Sequence, residues 1–312
     1  MHPAYSVILF TTASGAGYGL LFWMTITYAF GMLQVSPWYL LVILIVALLL
    51  ITAGLLSSAA HLGHPERAHR AFSQWRSSWL SREGVAAVAT YVPSGLLGLC
   101  WLFGIESTLT VWLSLLAALG AVVTVYCTGM IYASLRTIRQ WDQPTVAPIY
   151  LMLGAATGAL LFAVLLALAS AASIWTSLLA LAMLGLTAAL KRQYWQKIDE
   201  DPDPVTMEDV TGLGRFGAVK PLDPPHTRPN FVMREMGYEV GRKHAEKLRR
   251  LVWLCLFGAP LVLALLALLS GPVLAAIFYL TACLSAAVGV VTERWLFFAE
   301  AEHVSMRYYK AA

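Results

Sequence analysis

Eight apolar runs, each near the length of a membrane crossing, constrain this chain more than any other feature; they fall at about 5–33, 38–61, 84–104, 110–134, 147–170, 173–190, 251–269 and 273–296. An α-helix needs about 20 residues to cross the hydrocarbon core of a bilayer. Inside lipid the backbone must satisfy its own hydrogen bonds, which leaves only helices or closed barrels, and unbroken runs lack the alternation of a barrel strand. The expected fold is therefore all-α: a polytopic integral membrane protein of about eight transmembrane helices, forming a single transmembrane domain over residues 1–312. With 59% hydrophobic and 12% charged residues, the composition suits lipid better than water. The first run reads as a permanent helix, because the residues before it carry only His2 and no basic segment.

With eight spans, both termini and the loops after the second, fourth and sixth runs share one face. All 21 Lys and Arg residues are assigned to that face: Arg67, Arg70, Arg76 and Arg82, then Arg136 and Arg139, then twelve between Lys191 and Arg250, then Arg294, Arg307 and Lys310. The opposite loops hold none, so the positive-inside rule puts this face and both termini in the cytoplasm of a bacterial inner membrane.

Several classes of chemistry are disfavoured. Cys100, Cys127, Cys255 and Cys283 stand alone in or beside apolar runs, without the spacing of a metal site or redox pair, and read as small core hydrophobes. The histidines, at 2, 61, 64, 69, 226, 244 and 303, all fall at span ends or in loops, so a bis-histidine haem buried between spans is not expected. No ionisable residue is expected at mid-span, which speaks against a proton pump or ion channel. A formal charge of +4 gives no case for nucleic acid.

The segment 61–83, HLGHPERAHRAFSQWRSSWLSRE, is dense in titratable and aromatic groups and joins spans two and three on the charged face. His61 closes one apolar run and Glu83 opens the next beside Ser81 and Arg82, placing both near the membrane interface, where a lipid-dissolved quinone can reach them. Quinone chemistry moves two protons with two electrons, and His and Glu can donate hydrogen bonds and exchange protons. Trp75 and Trp79 offer flat surfaces for a ring. The plainer reading is that Arg67, Arg70 and Arg76 are inside-positive signals and that Glu83 complements a helix N-terminus.

Gly15–Gly19 and Gly154–Gly158 are both GxxxG, read as close-packing sites; their place at the head of each set of four spans suggests two four-helix bundles. The segment 191–250 is the one sizeable extramembrane part, expected as a Pro- and Gly-rich cytoplasmic arm followed by a helix that pairs Glu239 with Lys243 and runs into span seven. Its GLGRFG stretch lacks the strand and crossover that a nucleotide loop requires, and docking of a cytoplasmic partner is the preferred role.

At HLGHPERA, SWLSRE and FTTASGAGYG the sequence resembles the membrane-anchor subunits of the dimethyl sulfoxide reductase type of molybdoenzyme complex, over most of the chain. The resemblance implies an anchor that holds no metal redox centre and exchanges electrons with a quinone pool, ubiquinone or menaquinone. Iron-sulfur clusters and molybdopterin then lie in two partner subunits, an electron-transfer subunit and a catalytic one, with membrane lipids around the anchor. It also implies that His61 and Glu83 are the family's functional histidine and acid, with Arg82, Ser81, Trp79 and Arg67 beside them in a quinone-binding site. Family members that reduce dimethyl sulfoxide carry their catalytic subunits on the periplasmic face, whereas here the charged face is expected in the cytoplasm. The long arm instead resembles the branch of cytoplasm-facing, quinone-linked sulfite dehydrogenases, which implies sulfite oxidation to sulfate by the partners. The rival readings are an anchor for a reductase fed by menaquinol, a transporter, or a structural anchor without a quinone site.

Overall fold

A computed structural model of the chain describes residues 3–59, 64–200, 206–220, 222–223, 228, 230, 233, 236 and 243–306. Eight helices have the length and apolarity to cross a membrane: α1 Tyr5–Ala29, α2 Pro37–Ala59, α3 Trp79–Leu102, α4 Thr108–Ala133, α5 Val146–Leu168, α6 Ile174–Glu200, α7 Ala245–Leu268 and α8 Pro272–Ala299. Among the described residues the only β feature is an isolated bridge between Ile138 and His303.

Three helix ends lie five or more residues from the ends of the apolar runs. Helix α3 begins at Trp79 rather than 84, because Ser78 is an extended N-cap whose hydroxyl accepts the Ser81 N–H. Helix α6 runs on to Glu200, ten residues past the apolar run, since its Lys, Arg, Gln and Glu residues are good helix formers; residues 191–200 are thus helix and not arm. Helix α7 starts at Ala245 on the charged side of its span. The Glu239 pairing lies outside the described residues. Of the rest of the arm, Met207–Thr211 is a short helix and Gly214–Phe216 a single turn of 3-10 helix.

The helices form two bundles with the same plan. In the first, α1 packs on α2 and α4 while α3 packs on α4 and α2; in the second, α5 packs on α6 and α8 while α7 packs on α8 and α6. The bundles meet where α1 crosses α5. The two GxxxG motifs face each other at this crossing, and a methyl group on Gly19 or Gly158 would collide with the partner backbone. Lipid gives no hydrophobic drive to helix association, so such close contact supplies the attraction instead.

Pro260 lies in α7, and its ring lacks an N–H and clashes with the carbonyl four residues back. The helix answers with a π turn at Trp253–Gly258, and the Ser285 hydroxyl of α8 takes up the Cys255 carbonyl at 2.9 Å. Of the cysteines, Cys100 and Cys127 are buried and Cys255 and Cys283 half-buried, and none is in a disulfide.

Candidate functional site

The loop between α2 and α3 folds back onto the start of α3. Residues Pro65–Gln74 form a 3-10 helix that is exposed throughout its described side chains. Ser81 donates its hydroxyl to the Ala71 carbonyl. Arg82 donates from Nε to the Trp75 carbonyl at 3.0 Å and from Nη2 to the Arg76 carbonyl at 2.7 Å. Its guanidinium also lies 4.2 Å from the centre of the Trp79 ring, which meets Tyr126 edge-on at 6.0 Å. Thus Ser81, Arg82 and Trp79 come together, and their contacts hold the loop.

Glu83 points the other way. One turn inside α3, it is buried in the first bundle, where the Thr128 hydroxyl of α4 donates to its carboxylate. Thr128 shares its hydroxyl with the Thr124 carbonyl at 3.1 Å, and Thr124 in turn lies 3.4 Å from the Thr90 hydroxyl and beside Tyr18. These polar groups lie between Glu83 and an apolar groove of about 250 Å³ between α1, α4, α5 and α6, which Tyr18 lines. Arg67 is separate from the group: it is exposed, with Nε 3.8 Å from Glu66. Trp75 is exposed as well. His64 pairs with Glu66 at 3.0 Å, and His61 lies outside the described residues.

A second polar centre lies in the other bundle, away from the segment 61–83. Lys191 of α6 and the adjacent Glu293 and Arg294 of α8 are 1%, 0% and 2% exposed, which makes them a charge cluster inside the membrane domain. Glu293 accepts from Lys191 Nζ, from Arg294 Nε at 2.5 Å and from Arg294 Nη2 at 2.9 Å. The cations also lie over aromatic rings: Lys191 is 4.3 Å from the centre of Tyr194, and Arg294 is 4.2 Å from that of Tyr150. Lys191 and Arg294 are therefore not loop cations. Both sit near the charged ends of their helices, not at mid-span, but they are buried among side chains of the bundle rather than placed in a loop. An acid-base pair inside an apolar run, and a lysine where another run ends, were the available signals.

Beyond α8 the chain turns back over the α4–α5 loop, with the Val304 N–H on the Thr137 carbonyl at 3.0 Å. Arg249 of α7 binds Asp199 at 2.7 Å and Glu300 at 2.8 Å, joining α6, α7 and the end of α8 at this face. Burial pushes the Glu300 carboxyl above its ordinary range, against the opposing pull of Arg249.

The comparisons agree with this architecture. A family model described as DMSO reductase anchor subunit (DmsC) matches residues 1–197, which hold the whole first bundle, α5 and most of α6. A sulfite dehydrogenase subunit of Allochromatium vinosum is 32% identical over 335 aligned residues, covering 100% of this chain and 99% of that protein. That match extends through the arm, α7 and α8, where the family model does not reach. The chain is a multi-pass membrane protein that belongs to the DMSO reductase anchor subunit family.

Proposed function

We propose that this chain is the membrane anchor of a quinone-linked sulfite dehydrogenase, passing electrons from an iron-sulfur partner to lipid-dissolved ubiquinone or menaquinone. The observation that carries this reading is Glu83: a carboxylate buried at the charged end of the bundle, under a loop rich in cations, in a chain of this family. The full-length likeness to a protein named as a sulfite dehydrogenase subunit supports sulfite as the partners' substrate. The charged face, with the loop, the arm and both termini, is cytoplasmic in a bacterial inner membrane, and the two partner subunits dock there.

The reaction balances across the complex. Sulfite and water give sulfate, two protons and two electrons in the molybdopterin subunit, and quinone takes up two electrons and two protons at the anchor. This chain supplies binding and proton supply. His61 hydrogen-bonds one ring oxygen and exchanges its proton, while Glu83, its carboxylate held by the Thr128 hydroxyl, relays protons between that ring and the cytoplasm. Arg82, Ser81 and Trp79 keep the loop folded over the helix end, and Arg67 adds positive charge to the docking face. The apolar groove lined by Tyr18 suits a quinone entering sideways from lipid.

The test is sulfite-to-quinone electron transfer by the complex purified from native membranes in mild detergent. General acid-base groups are worth roughly 10²-fold or more, so His61→Ala and Glu83→Gln should each lower quinone reduction to that extent while the partners and their metals still co-purify. Unchanged turnover in both variants would sink the quinone site, and a chain that purifies alone would sink the anchor itself.

A further inference from the structure

The α1–α5 crossing opens two grooves to the lipid, one on each side. The first is the groove lined by Tyr18. The second, of about 380 Å³, lies between α1, α2, α5 and α8, with walls almost wholly of carbon that include Leu9, Ala16, Leu50, Leu161 and Leu284. It shares Thr12, Ala16, Thr157 and Val290 with an adjoining small cavity of about 10 Å³ that Tyr150 and Arg294 also line.

A buried donor faces this small cavity. Arg294 is 2% exposed and its Nη1 has no hydrogen-bond acceptor within reach among the described residues, while the Tyr150 hydroxyl has the guanidinium itself as its polar neighbour. A buried donor without an acceptor costs about 1–3 kcal/mol. The cluster also carries a net positive charge, since one carboxylate faces two cations. Glu293 takes Nε and Nη2 along one edge of the guanidinium, which leaves Nη1 on the side turned away from that carboxylate. The cavity has room for about one further oxygen atom, within reach of Nη1.

We propose that the second groove is a binding site for an isoprenoid quinone: one ring oxygen accepts from Arg294 Nη1 and from the Tyr150 hydroxyl, and the tail lies along the carbon walls. A phospholipid phosphate brings several charged oxygens to a space for one, against the side chains of Leu9 and Val290. No carboxylate here is free to take a proton, so this quinone is held rather than turned over. The assignment rests on Arg294 and Tyr150 and does not depend on the role of Glu83.

The test uses the full chain in nanodiscs of phosphatidylethanolamine, phosphatidylglycerol and cardiolipin, with a photoreactive azidoquinone bearing an isoprenoid tail as the probe. Label should map to the segments around Thr12–Ala16 and Val290–Arg294, and excess unlabelled quinone should displace it. Ala287 is exposed on the groove wall, so Ala287→Trp should fill the groove without disturbing the core and cut the label at least tenfold. Tyr150→Phe should weaken labelling severalfold, whereas Glu83→Gln should leave it intact. Label that persists in Ala287→Trp, or that added cardiolipin displaces and quinone does not, overturns the proposal. Label confined to the Tyr18 groove also overturns it and leaves the Glu83 reading standing.

Discussion

Replacing Glu293 by Gln removes the only negative charge between two buried cations and keeps the side chain's shape. In the native chain that carboxylate accepts from Lys191 and twice from Arg294, and all three residues are at most 2% exposed. Breaking a buried ion pair by removing one partner costs about 3–5 kcal/mol, because the other charge remains in a low-dielectric interior. Two stranded cations put Glu293→Gln at the upper end of that range. A stability change of 1 kcal/mol moves the midpoint of a protein of 150–250 residues by roughly 2–4 °C and that of this 312-residue chain by about 2 °C, so the expected drop is on the order of 10 °C. Lys191→Met is the control. It leaves the Glu293–Arg294 pair neutral with both hydrogen bonds, and its cost should stay near 1.5–3 kcal/mol, about the value of a charge-assisted bond. Thermal unfolding of the full chain in detergent, followed through its 11 tryptophans, measures both. The reasoning is refuted if Glu293→Gln unfolds within about 3 °C of the wild type, or if Lys191→Met proves the more damaging change.

Gly158→Leu should separate the two bundles, since even a methyl group there would overlap the α1 backbone; protease sensitivity and loss of monodisperse chain in detergent would show it, while Gly185→Leu, in open space on α6, should be silent. In the arm, the Val219 N–H holds the Glu208 carboxyl below its ordinary range, and the Thr206 N–H does the same for Asp209. Carboxyls depressed in this way stabilise the fold above their ordinary titration and lose that effect as pH falls through the folded value. Hydrogen exchange at residues 207–219 should therefore be slower relative to the intrinsic rate at pH 7 than at pH 3, and equal protection at both would refute the capping role.

How much of this was legible in the residues differs from element to element. The spacing GxxxG marked Gly15, Gly19, Gly154 and Gly158 as packing positions, but that the two motifs meet each other follows only once α1 and α5 are side by side. Glu83 stood out because a carboxylate beside an apolar run is conspicuous, yet the residue that binds it, Thr128, is 45 positions away on α4 and looks like any threonine in a membrane helix. Arg82 and Glu83 read as one polar group along the chain; a helix turns about 100° per residue, and this sends one to the loop and the other to the core. The cation cluster was misread for the opposite reason. Lys191 follows an apolar run, so hydropathy ends the span there, whereas helix propensity and a carboxylate on α8 carry the helix onward.

What the sequence determined by itself was the solvent of each segment: apolar length set eight crossings, because unpaired backbone cannot exist in lipid, and the one-sided placement of Lys and Arg set which ends lie together. What only the tertiary structure decided was the pairing of side chains from different helices. Glu293 with Lys191, Arg294 with Tyr150 and Glu83 with Thr128 depend on the rotation and depth of the helices that carry them, and no local pattern in the chain encodes them.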